Sequence, residues 1–245
     1  MKKRKIVAMG VAAALAVGCL AGCGGDGKKD GADGGAEQVL NISSNGVVVG
    51  LNPLINTSGP DNSAFNMVLD PLVRRRCAEG NTYELVPAAA ESWDVSEDGL
   101  TYTFHMNKDA KWSDGTKVTA NDFECTFQQM ATSSVAATNA WVFDGVIENF
   151  SEALYDEGKK PEEIGVHAID EDTLEIKIVH PASYFLELLS TSAYPINKAM
   201  YEELGSDYAT SGTKSWFLTG LLLLPAPVLF HMLLSAYAFL LYGRN

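Results

Sequence analysis

Leu100, Tyr102, Phe104 and Met106 are apolar and alternate with the polar Thr101, Thr103 and His105. A period of two is that of a strand burying one face. Trp93 and Val95 stand before it, separated from it by Ser96, Glu97, Asp98 and Gly99, so the stretch predicts a β-hairpin. Leu174, Ile176 and Ile178 repeat the alternation with Thr173, Glu175 and Lys177 and predict another half-buried strand. Between these strands lies a polar turn at Ser113, Asp114 and Gly115. Thr119 and Asp122 then have capping-box spacing, and Phe123, Phe127 and Met130 mark one face of the helix they open. Tyr184, Phe185, Leu188 and Leu189 lie on a helix predicted to start at Pro181, and Pro195 predicts a further one ending near Gly205. Nearer the N-terminus, VLNISS from Val39 reads as a short strand, and Gly46 and Gly50 bracket three valines. Residues 51–63 are rich in Asn, Pro, Gly and Ser and read as loop. Phe65, Met67, Val68, Leu69, Leu72 and Val73 predict a helix broken at Pro71. The acidic stretch 148–163 reads as a solvated helix and loop. Strands and helices on either side of polar loops give an α/β class.

The two ends follow other patterns. Lys2, Lys3, Arg4 and Lys5 precede an apolar run, residues 6–20, and the small Ala21 and Gly22, in the order of a secretion signal over residues 1–22. The run is shorter than the roughly 20 residues a membrane-spanning helix needs. Residues 23–36 are Gly-rich and polar and form a tether that cannot build a core. At the other end, residues 216–242 hold 10 Leu and no Asp, Glu, Lys or Arg. By length and hydropathy this run qualifies as a transmembrane helix, with Pro225 and Pro227 able to kink it.

Composition narrows the function. Without Lys2, Lys3, Arg4 and Lys5, 14 basic side chains face 31 acidic ones. Nucleic-acid binding needs clustered Lys and Arg to neutralise phosphates, so that partner is excluded. His105, His167, His180 and His231 are scattered and no CxxC pair occurs, so neither a metal nor another cofactor is expected. His105 falls on the polar face of its strand and reads as a solvated histidine, not a base. Cys77 and Cys125, 48 residues apart, read as two separate thiols, although secretion would permit a disulfide. GxSxG, HExxH and P-loop patterns are all missing, so an enzyme is not expected.

Several blocks carry a family resemblance. Residues 84–130, ELVPAAAESWDVSEDGLTYTFHMNKDAKWSDGTKVTANDFECTFQQM, resemble the signature of the family 5 bacterial extracellular solute-binding proteins, the oligopeptide and dipeptide receptors of ABC importers. LNPL at 51–54, DPLVR at 70–74 and DEDTLEIKIVHPASYFLELLS at 170–190 follow in the family's order. Asn107 and Cys125 depart from its usual residues. The resemblance implies a periplasmic-binding-protein-like, two-lobed fold of which residues 37–215 are the N-terminal part, hence an incomplete lobe. It implies an oligopeptide ligand, ABC permease subunits as partners, and closure of the lobes about a hinge. Leu20, Ala21, Gly22 and Cys23 resemble a lipobox, which implies acylation at Cys23 and anchoring to membrane lipid at the outer face of the cell membrane. Carried over residue by residue, Thr57, Ser58 and Gly59 match a loop that offers main-chain groups to the ligand, and Trp141 falls near a pocket-lining aromatic.

The resemblance stops at Ser215. A reading-frame change or truncation is expected to account for the apolar tail, with a real second membrane helix as the alternative. A doubly anchored peptide-sensing receptor, or a relative binding nickel, haem or sugar, remains open on these residues.

Overall fold

The structure, a computed structural model, describes residues 46–80 and 82–209. The signal, the tether with Cys23, the strand at 39–44 and the run 216–242 lie outside the described residues. Among those described, no helix is long and apolar enough to cross a membrane.

The expected hairpin is present as β3 (Ala90–Val95) and β4 (Thr101–Met106), turning at Gly99 with φ +71°. Asp98 makes that turn specific. Its carboxylate accepts from Ser96 Oγ at 2.5 Å and from the Leu100 N–H at 3.0 Å. These strands join β6 (Thr173–Lys177) and β5 (Val166–Asp170) in one antiparallel sheet ordered β3-β4-β6-β5. One face is apolar, with Tyr102, Phe104, Met106, Val166, Leu174 and Ile176 all buried. The helix α2 (Ala120–Met130) packs against β5 and β6 and buries Phe123, Phe127 and Met130 on that side. Full burial of each such side chain stabilises by roughly 1.5–3 kcal/mol, so this layer holds much of the fold's stability. On the opposite, polar face His105 Nε2 lies 2.9 Å from Asp94 Oδ2, within reach of solvent as expected of a strand histidine.

The capping box of α2 forms as its spacing requires. Asp122 Oδ2 accepts the Thr119 N–H at 2.8 Å. The same buried carboxylate also takes the Trp112 indole N–H at 3.3 Å and, through Oδ1, the Lys198 N–H at 2.9 Å. One side chain thus fastens the Trp112 turn, the start of α2 and the start of the helix Lys198–Leu204.

Four sequence expectations are corrected. Residues 51–63 are not all loop, because α1 (Gly59–Val68) starts at Gly59 on a Ser58–Asp61 capping box with Pro60 in its first turn. Val73 is not helical. Leu69 is extended and caps α1, Pro71 cannot continue it, and Val73 opens β1 (Val73–Ala78). β1 pairs with β2 (Thr82–Pro87) in a separate antiparallel hairpin. The helix assigned to Pro181 is α4 (Phe185–Ser192), four residues later. Val179 still donates to the Val146 carbonyl, the chain bends at Val179 and His180, and the buried Ala182 opens the turn that leads into the helix by accepting the Phe185 N–H. The helix assigned to Pro195 is α5 (Lys198–Leu204). Ile196 is pinned by Thr126 Oγ1 at 3.0 Å, and Asn197 supplies the cap. The acidic stretch behaves as expected, with α3 (Phe150–Leu154) and a short 3-10 turn, Pro161–Glu163.

Cys77 and Cys125 are both free thiols, as expected, one exposed on β1 and the other buried in α2. Burial pushes the Cys125 thiol up to about 12. Of these two, only Cys77 should react with a thiol reagent in the native protein, and Cys125 should do so only after unfolding. Mass mapping of the labelled peptides checks this, and native labelling of Cys125 at the Cys77 rate would refute the buried placement.

Candidate functional site

The loop carrying Thr57, Ser58 and Gly59 is shaped by the start of α1. Ser58 is the N-cap residue, and its Oγ accepts the Asp61 N–H at 3.3 Å while donating to Asp61 Oδ2 at 2.6 Å. Its hydroxyl is thereby used inside the protein. Ser58 and Gly59 are exposed and Thr57 half-buried. Nothing lies within 4 Å of the Cβ position at Gly59, so the approach to the helix start is open.

Asp61 sits behind this loop, only 2% exposed. Its Oδ1 accepts the Val49 N–H at 2.8 Å and its Oδ2 the Ser58 N–H at 3.2 Å. Burial pushes its carboxyl up, but the donors at Ser58, Val49 and Gly50 outweigh this and leave it below the ordinary carboxylate range. A depressed folded pKa contributes stability that is present above the unfolded value of about 3.9 and lost as pH falls through the folded one. The unfolding midpoints of wild type and Asp61→Asn should therefore separate most above the unfolded value of about 3.9 and converge as the pH falls through the lowered folded value. A constant gap across that window in thermal melts would contradict the assignment.

The loop before Ser58 is fixed from the other side. Asn52 is buried, its Oδ1 accepting the Leu54 N–H at 3.0 Å and its Nδ2 donating to the Tyr208 carbonyl at 3.3 Å. The Thr138 N–H donates to the Leu54 carbonyl at 2.8 Å, and Thr138 Oγ1 to the Ile55 carbonyl at 3.1 Å. Three residues on, Trp141 sits in the 3-10 turn Ala140–Val142 with 73% of its surface exposed, between the buried Ala140 and the half-buried Val142. An indole that takes part in the core would be covered, so this one is held at the surface. The structure thus sets the two candidate segments side by side, linked through Thr138 and not through the candidate side chains themselves.

Two residues were missed. Asp61 could have been found, because Ser58 and Asp61 have the spacing of a capping box with Pro60 between. Thr138 gives no local signal, since its partner Ile55 is 83 positions away.

A groove of about 420 Å³ lies between the turn at Trp112, Asp114 and Lys117 and the start of α5 at Lys198. It includes none of the candidate residues, and the carboxylate at its floor, Asp122, is already saturated by protein donors. Among the described residues no group of three His, Cys, Asp or Glu side chains could hold a metal ion.

The architecture is α/β, an antiparallel four-stranded sheet backed by α2. The sequence matches the family described as bacterial extracellular solute-binding proteins, family 5 Middle, over residues 84–220, more than half of the chain. The chain belongs to that family. It is 33% identical over 217 residues to the dipeptide-binding protein DppE of Bacillus subtilis, covering 86% of this chain and 39% of that one. The fold is similar to Listeria monocytogenes OppA bound to peptide, with a TM-score of 0.67 and 28% identity over 76% of this chain and 36% of that one. It is also similar to Haemophilus influenzae OppA in complex with the peptide RPPGFSPFR, with a TM-score of 0.62 and 31% identity over 68% and 32%. The chain spans about a third to two fifths of the length of these relatives.

Proposed function

We propose that this chain carries part of the substrate-binding component of an ABC-type oligopeptide or dipeptide importer. The observation that carries the reading is the pairing, through Thr138, of the open loop at Thr57, Ser58 and Gly59 with the turn that exposes Trp141. A peptide presents regularly spaced donors and acceptors, so main-chain groups at the loop can bind it without regard to its side chains. The Trp141 ring then offers apolar surface to one side chain. Binding energy shifts the balance between open and closed lobes and breaks no bond, so the role is that of a receptor and not of an enzyme. Acylation at Cys23 would hold it at the outer face of the membrane, where permease subunits are its partners.

The described residues supply one wall of such a site. Each main-chain bond nets about 1 kcal/mol against solvent, while association costs an estimated 4 kcal/mol or more. The affinity of this chain alone should therefore be weaker than about 1 mM. Amide and indole chemical shifts resolve binding in that range. Titration with a mixture of tripeptides should move the signals of Thr57, Ser58, Gly59 and the Trp141 indole. If those signals respond to nickel, haem or a sugar instead, the peptide assignment fails.

A further inference from the structure

Resting on the peptide-receptor reading, we infer that Asp61 is a positioning residue, one that presets the main chain of the loop at Thr57, Ser58 and Gly59 without itself meeting the ligand. Its two carboxylate oxygens face different stretches of chain. Oδ1 takes the Val49 N–H at 2.8 Å, whereas Oδ2 takes the Ser58 N–H at 3.2 Å and the Ser58 Oγ at 2.6 Å. The carboxylate is 2% exposed and lies on the far side of the loop from solvent, while Ser58 and Gly59 are exposed. The approach it enforces is close, because a Cβ at Gly50 would lie 2.5 Å from Asn56 Oδ1. Three residues beyond Val49, Asn52 accepts the Leu54 N–H, and Thr138 from outside the loop holds the Leu54 and Ile55 carbonyls. At the exposed end Asn62 Nδ2 holds the Thr57 carbonyl at 3.0 Å and Ser63 Oγ the Gly59 carbonyl at 2.9 Å, and Asp61 is the tie that holds the Ser58 N–H and joins it to Val49.

Only an ionised carboxylate fits, since it has acceptors and no donor on both sides. An Asn in either orientation would turn its NH₂ toward one set of donors, so one of the two ties must open. A loop that offers main-chain groups in a fixed geometry spares the ligand the cost of ordering it. Opening one tie returns that cost to the binding step.

The test compares the full chain with Asp61→Asn and Ser58→Ala, reading amide exchange at Thr57 and Gly59 and the tripeptide titration together. Neither amide donates to Asp61, so their exchange reports loop order and not the lost bond itself. Glu97→Gln, exposed in the hairpin turn, is the control and should move nothing. Asp61→Asn should speed exchange at both amides by about tenfold or more and weaken tripeptide binding by about five- to tenfold, with exchange in β4 and β6 unchanged. Ser58→Ala, which removes the hydroxyl donor to Asp61 and the N-cap acceptor but keeps the Ser58 and Val49 N–H ties, should give a smaller change in the same direction. Wild-type affinity should also fall as the pH is lowered through the depressed folded value of Asp61, whereas that of Asp61→Asn should lack this step. Unchanged exchange and affinity in both variants would overturn the inference, as would a loss of protection across β4 and β6, which would make Asp61 a support of the whole fold. If the wild type binds no tripeptide, the receptor reading fails, and exchange at Thr57 and Gly59 alone decides whether Asp61 orders the loop.

Discussion

Asp122→Ala should destabilise the protein by about 3 kcal/mol and lower its unfolding midpoint by roughly 10 °C. The substitution takes the acceptor from the half-buried Thr119 and Lys198 N–H groups and from the buried Trp112 indole N–H. Losing an N-cap acceptor costs about 1 kcal/mol. Stranding buried donors costs about 1–3 kcal/mol more. The pH dependence runs opposite to that of Asp61. Burial raises the Asp122 carboxyl above its ordinary value despite the donors at Lys198, Thr119 and Trp112. A raised folded pKa means that the side chain contributes most below the unfolded value and less as pH rises through the folded one. The loss in Asp122→Ala, followed by denaturant titration, should thus be larger near pH 3.5 than near pH 7. A loss under about 0.5 kcal/mol at both would show that the carboxylate is not a fastening point.

Phe143→Ala should cost about 3–5 kcal/mol, whereas Trp141→Ala, two positions earlier, should cost less than about 0.5 kcal/mol. Phe143 is fully buried and packs edge-on to Phe127 of α2 at 5.1 Å and to Phe150 of α3 at 6.1 Å. Removing it leaves a cavity between two helices and loosens the base of the turn that presents Trp141. The exposed indole of Trp141 makes little of the core, so its removal should spare stability and act on ligand binding alone. Urea titrations of both variants measure the contrast. Equal losses would mean that Trp141 is a packing residue and would withdraw it from the site.

The parts of the fold legible in the sequence were those whose signals are local. The alternation from Leu100 to Met106 and the Thr119–Asp122 box each need only a few neighbouring residues to be read, and both elements formed as expected. β1 escaped because Arg74, Arg75 and Arg76 interrupt any apolar period. The strand is held by pairing to β2, and by Glu187, which meets both Arg75 and Tyr83 from α4. β5 escaped for a related reason: only Val166 of its five residues is fully buried, and its register on β6 supplies the rest. The candidate site was legible only as two separate segments. What joins them is a pair of hydrogen bonds from Thr138 to the carbonyls of Leu54 and Ile55, and no local pattern encodes a contact across so many positions.

The central claim is that the face formed by residues 52–59 and 138–141 meets a peptide. Its most direct test is photo-crosslinking of a tripeptide bearing a photoreactive side chain, followed by mass mapping of the adducts. Adducts concentrated at Thr57, Ser58, Gly59 and Trp141, and competed away by unlabelled tripeptide, are the predicted result. Adducts confined to the groove between Trp112 and Lys198, or spread over the polar face of the sheet, would contradict it.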